Sequence, residues 1–131
     1  TMKHYNVVAA VVCHDGKYLC MQKGKTKFEY TSYKWEFPGG KIEPGETPQQ
    51  ALARELMEEM EYPVEVGEEL VTVNHEYPDF SITMTAFLCT PKGDANGFKR
   101  REHADSKWCS KDELKGLNWA AADIDVVEGI L

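Results

Sequence analysis

Glu55, Glu58 and Glu59 stand at i, i+3 and i+4, directly after Arg54, in a run from Gly40 to Tyr62 that reads GKIEPGETPQQALARELMEEMEY. On a helix the three carboxylates share one face, and like charges at this spacing repel and weaken the helix. An ordinary surface helix gains nothing from that arrangement. A divalent cation seated among the carboxylates would resolve it, because hard ions such as Mg²⁺ prefer carboxylate oxygens. The segment is therefore a metal-site candidate on spacing alone. The plainer alternatives are a solvated acidic face and a simple i, i+4 pair between Arg54 and Glu58, worth about 0.3–0.5 kcal/mol.

The residues before the glutamates are suited to starting such a helix. Thr47 is a good N-cap, Pro48 suits the first helical position, and Gln50 completes a Thr-x-x-Gln capping box. Pro38-Gly39-Gly40 and Pro44-Gly45 make a loop that can bend sharply and bring its backbone close to a ligand. Leu52, Leu56 and Met60 recur every four residues, so an apolar stripe faces a core while the glutamates lie on another face.

Gly40, Glu46, Arg54, Glu55, Leu56, Glu58, Glu59 and Tyr62 match the Nudix box, and the chain resembles that family over nearly its whole length. The departure is Glu61, which stands where the family has a Gly that leaves the helix with positive φ. It puts the helix exit in question, not the candidate ligands. Lys34-Trp35-Glu36-Phe37-Pro38-Gly39-Gly40 resembles the MutT-like branch, which acts on nucleoside triphosphates. The resemblance implies an α/β Nudix fold, a mixed β-sheet sandwiched between helices, as one domain over residues 1–131.

It also implies roles. Glu55, Glu58 and Glu59, with the Gly39 carbonyl and Glu102 from a distant loop, would hold Mg²⁺, with Mn²⁺ as the substitute. Arg54 would orient Glu55, and Glu46 would support that arrangement. Either Glu102 or Glu59 would take the proton of the attacking water. Gly40 and Lys23 would lie near the phosphates, and Asp123 in Ala122-Asp123 stands where the branch reads the base edge. Water attack at the β-phosphorus would then release nucleoside monophosphate and pyrophosphate.

The substrate end admits alternatives. Phe37 either stacks on a nucleobase, a contact worth about 1–3 kcal/mol in nucleic-acid binders, or belongs to the core. Lys23 is either a phosphate contact or a solvated lysine. Glu102 follows Lys99, Arg100 and Arg101, so a surface ion pair competes with a ligand role. Asp125-x-x-Glu128 predicts the cap of a last helix and leaves Asp123 free for a base. An ionised Asp123 accepts hydrogen bonds only, which suits the N4 amino group of cytosine and also N1–H and N2–H₂ of guanine. Ala-Asp-Ile at 122–124 resembles the CTP pyrophosphohydrolase branch, so CTP, dCTP or 5-substituted cytosine nucleotides come first and 8-oxo-dGTP second. A non-catalytic nucleotide-binding module is the reading from a different class, and the full set of box glutamates argues against it.

The rest of the chain must position these groups. Tyr5–Cys13 and Tyr18–Gln22 read as a hairpin around His14-Asp15-Gly16-Lys17, followed by a polar loop from Lys23 to about Tyr33. Residues 64–75 and 81–90 read as strands joined at Tyr77-Pro78-Asp79, a further strand ends near Trp108, and Ser110 caps a short helix at 111–114. The four cysteines lack metal-ligand spacing and read as reduced thiols in apolar segments. His4, His14, His75 and His103 share no ligand spacing and read as structural. A net charge of −7 argues against a protein that coats a nucleic-acid polymer. No stretch resembles a signal peptide or a membrane span, so the expectation is a soluble, cytoplasmic monomer or homodimer.

Overall fold

The computed structural model describes residues 2–131. Strand β1 (Lys3–His14) turns through Asp15 and Gly16, both at positive φ, into β2 (Lys17–Lys23). Two short strands, β3 (Trp35–Glu36) and β4 (Gly39–Lys41), precede helix α1 (Pro48–Met60). The long strands β5 (Val64–Glu76) and β6 (Phe80–Pro91) follow, then β7 (His103–Cys109), α2 (Lys111–Leu114) and α3 (Ala121–Ile130).

The strands run β3-β2-β1-β6-β5, with β4 also on β1 and β7 also on β2. β1 and β6 are parallel from Lys3↔Phe80 to Val12↔Cys89, while the other pairs are antiparallel. β1 pairs with β2 only at Cys13↔Tyr18 and His14↔Lys17, then with β4 at residues 7–9. The two strands therefore diverge beyond the hairpin. Phe37 and Pro38 bridge the gap between β3 and β4, and the Pro38 carbonyl accepts from Ala10 N–H at 2.7 Å.

β1 is apolar on both faces because helices cover both. Val8, Ala10 and Val12 join Leu52, Leu56 and Met60 of α1 in one core. Ala9 and Val11 join Ala122, Val126 and Val127 of α3, with Trp119, in the other. The mixed sheet thus lies between helices, as expected.

α1 begins with the capping box foreseen for Thr47 and Gln50. It ends on Glu61 in the left-handed region (φ 48°), the conformation for which the family pattern has Gly. The Glu61 carboxylate meets Arg101 and lies 3.0 Å from Lys99 Nζ, so ion pairs secure a residue whose backbone is strained. α3 corrects the expected cap. It starts at Ala121, so Asp123 lies in the first turn and Asp125 in the interior. No side chain of the helix caps it; the Tyr77 hydroxyl oxygen accepts from Ala122 N–H at 3.2 Å instead.

Candidate active site

Arg54 organises the acidic face. Its guanidinium grips Glu46 with two hydrogen bonds of 2.6 and 2.9 Å, and donates to Glu55 at 3.0 Å and Glu58 at 3.1 Å. It also donates to the Lys41 carbonyl at 3.0 Å, which ties α1 to β4. The paired guanidinium holds the Glu46 carboxyl below its ordinary range. The repulsion expected on this helix is therefore largely relieved by Arg54 for Glu55 and Glu58.

Glu59 is not relieved. Burial, then its hydrogen bond to Glu55 and the charges of Glu55, Glu36 and Glu102, push its carboxyl up to about 8. Gly40 lies against Glu55 so closely that a Cβ there would overlap the carboxylate. Gly39 touches the Val8 carbonyl in the same manner, which is why two consecutive glycines are needed where β4 docks on β1. Among the described residues no three His, Cys, Asp or Glu side chains are gathered to ligate one ion as they stand. Arg54 draws Glu55 and Glu58 to itself. The donor set nevertheless fits a hard cation: carboxylates crowded into partial burial, with a proton retained on Glu59 that a divalent ion would replace.

The gap between the diverging strands opens into a cavity of about 980 Å³. Glu59, Glu102, Gly39 and Gly40 line it, as do Lys23, Phe37 and Asp123. Glu102 is exposed on its wall and makes no ion pair with its basic neighbours, since Arg101 and Lys99 go to Glu61 and Arg100 to Asp105. Lys23 pairs with Glu36 at 3.4 Å. The Phe37 ring is 3% exposed and stacks on Trp119 at 4.8 Å, so the core alternative describes the side chain. Its backbone N–H donates to Asp123 Oδ1 at 3.0 Å. Asp123, 5% exposed, is thus engaged rather than free. Burial and the charge of Glu36, partly offset by the Phe37 N–H and Lys23, push its carboxyl up to about 8.

Two cavity residues escaped the sequence. Glu36 accepts from His103, whose Nε2 lies 2.9 Å from Oε2 while its Nδ1 is buried without a partner. That geometry turns the Nε2–H of His103 toward the Glu36 carboxylate. The two residues are far apart in sequence, and only the register that sets Lys23 against His103 and Met21 against Glu36 unites them. No local spacing announces that pairing.

The family model described as "NUDIX domain" matches residues 2–128. The chain belongs to the Nudix family. CTP pyrophosphohydrolase of Escherichia coli (strain K12) is 36% identical over 131 residues, covering 99% of this chain and 93% of that protein. 8-oxo-dGTP diphosphatase of Proteus vulgaris is 41% identical over 88 residues, covering 67% and 78% respectively. The solution structure of the E. coli ORF135 protein matches with a TM-score of 0.82 at 35% identity, covering 98% of this chain and 89% of that one. The fold is a Nudix, MutT-like one, and the chain is a Nudix hydrolase. No helix among the described residues is long and apolar enough to cross a membrane.

Proposed function

We propose that this Nudix hydrolase is a divalent-metal-dependent nucleoside triphosphate pyrophosphohydrolase that favours cytosine nucleotides. The observation that carries the reading is one cleft lined both by the α1 carboxylate Glu59 with Glu102 and by the buried Asp123. A site for phosphate chemistry and a polar group able to read a base share that cleft.

Glu55, Glu58, Glu59 and Glu102, with the Gly39 carbonyl, would hold the metal. When bound, Mg²⁺ neutralises phosphate charge and lowers the pKa of a water molecule. The protein's part is mainly positioning. Arg54 fixes the Glu55 carboxylate through one guanidinium nitrogen while its other two nitrogens are anchored on Glu46. Gly40 leaves room for Glu55 beside the β4 backbone. Glu59 and Glu102 are the two groups able to accept the proton of the attacking water, which is directed at the β-phosphorus.

The Asp123 carboxyl, held near 8, is largely protonated at neutral pH. One oxygen then donates while the other still accepts, which matches the N3 acceptor and N4 donor of cytosine. Ionised, it becomes an acceptor only and matches N1–H and N2–H₂ of a guanine. That second state supports 8-oxo-dGTP as the second reading, gaining ground as pH rises. The relatives' names divide between the same two substrates.

Pyrophosphate release with Mg²⁺ is measured on CTP, dCTP, 5-methyl-dCTP, dGTP and 8-oxo-dGTP, with Glu58→Gln as control. Release lost in the control, with cytosine nucleotides leading in kcat/KM at pH 7, is the expected result. Leadership by 8-oxo-dGTP would favour the second reading. No release from any triphosphate by folded protein would overturn both.

A further inference from the structure

The lysine first suspected of meeting phosphate, Lys23, already faces Glu36 across 3.4 Å. Other lysines line the same cavity with no carboxylate partner among the described residues: Lys25 and Lys27 on the 24–34 loop, Lys3 at the start of β1, and Lys41 at the end of β4. All four are exposed. Two of them rest against aromatic rings, with Lys27 Nζ 5.4 Å from the Phe28 centroid and Lys41 Nζ 4.2 Å from that of Tyr5. A ring holds an ammonium group in place without neutralising it, so the full charge remains available to an anion.

The loop that carries Lys25 and Lys27 is built to keep its shape. Thr26 N–H donates to Ser32 Oγ at 2.9 Å, and the Thr26 and Thr31 hydroxyls meet at 2.6 Å. Lys23 N–H donates to the Lys34 carbonyl at 3.0 Å and closes the base of the loop. Tyr30 donates to Asp79 Oδ2 at 2.8 Å and stacks between Phe28 and Tyr77, which fastens the loop to the β5–β6 turn. Two unneutralised cations are thus presented to the cavity by a preorganised segment.

The geometry points to Lys25 and Lys27, with Lys3 and Lys41 beside them, as a polyphosphate-binding rim that recruits the substrate to the cavity, apart from the carboxylate site. The inference rests on the proposed triphosphate substrate and adds the residues that overcome the protein's own charge. At a net charge of −7, a polyanion meets overall repulsion, and a local cationic field is what concentrates it at the cleft. Rim charges of this kind act on encounter and salt dependence more than on chemistry.

The test uses inorganic tripolyphosphate in EDTA, which needs neither metal nor hydrolysis. Binding to the folded wild type, Lys25→Gln/Lys27→Gln and the distant control Lys111→Gln/Lys115→Gln is followed by calorimetry at several salt concentrations. Expected is a loss of about tenfold in the rim variant with a shallower salt dependence, and none in the control. Under turnover, the rim variant should raise KM by a similar factor and leave kcat within about twofold. Unchanged tripolyphosphate binding in the rim variant overturns the inference even when nucleotides are hydrolysed. Lost binding in a protein that hydrolyses no nucleotide keeps the rim and removes the proposed function instead.

Discussion

Asp123→Asn should make the protein more stable, and increasingly so as pH rises. The exchange keeps the shape of the side chain and an oxygen to accept the Phe37 N–H, now at 3.0 Å, but removes the titratable group. The carboxyl moves from an ordinary 3.8 to about 8 on folding, chiefly through burial and the neighbouring Glu36. Between those values the native state retains a proton that the unfolded chain has released. Stability therefore falls as pH rises through this window, and the loss is complete above about 8. At about 1.4 kcal/mol per pKa unit the ceiling is on the order of 5 kcal/mol, and water reaching Asp123 from the cleft brings the expected gain nearer about 2 kcal/mol. Urea unfolding of both proteins at pH 5, 7 and 9 measures it. The gap between them should be small at pH 5 and widest at pH 9. A gap that stays constant with pH would refute the idea that Asp123 is strained by its charge.

Gly40→Ala should fold and yet lose about 10²-fold in kcat, because the new Cβ displaces Glu55, whereas Gly39→Ala, which collides with the Val8 backbone, should lower the melting temperature sharply. Arg54→Lys keeps the charge but not the two-pronged grip on Glu46, so kcat should fall by about 10-fold or more with the fold intact by circular dichroism. Glu61→Gly removes left-handed strain of about 1 kcal/mol together with two exposed ion pairs worth about half that each, so the chemical unfolding midpoint should hardly move. Glu61→Ala loses the pairs but keeps the strain, and should cost about 1 kcal/mol by the same measurement. Asp123→Asn keeps a donor beside an acceptor at every pH, so its kcat/KM preference for CTP over 8-oxo-dGTP should persist at pH 9, where the wild type shifts toward 8-oxo-dGTP.

What the sequence disclosed was local. Thr47, Pro48 and Gln50 fix the start of α1 through contacts within one turn, so the helix and its acidic face were legible. Ser110 and Glu113 make the same kind of box for α2. The start of α3 was not legible, because its first turn is satisfied by a tyrosine hydroxyl from the β5–β6 connection and no residue near Ala121 signals that. Glu36 and His103 were hidden for a related reason: they meet across β2 through the register that sets Met21 against Glu36 and Lys23 against His103, and the second pairing is shifted where β7 skips Ala104 between Asp105 and His103. Asp123 was singled out by resemblance and read as an ionised acceptor, whereas burial and the charge of Glu36 push its carboxyl up to about 8. Its sequence neighbours cannot reveal that Phe37, Tyr77 and Glu36 enclose it.

The first argument for a metal also changes its footing. Crowded carboxylates on α1 suggested a cation, but a cation was already present in the chain, and Arg54 takes up Glu46, Glu55 and Glu58. Repulsion on the helix therefore does not by itself demand an ion. The better support for the proposed ion is the glutamate of α1 that Arg54 does not contact. Glu59 is partly buried, hydrogen-bonded to Glu55 and faced by the charges of Glu36 and Glu102, and without a metal it keeps a proton to nearly pH 8. A helix evolved only for stability would place an apolar residue or a lysine there. Retaining a carboxylate at that cost, on the wall of the cavity of about 980 Å³, supports the proposal that the position serves binding rather than folding.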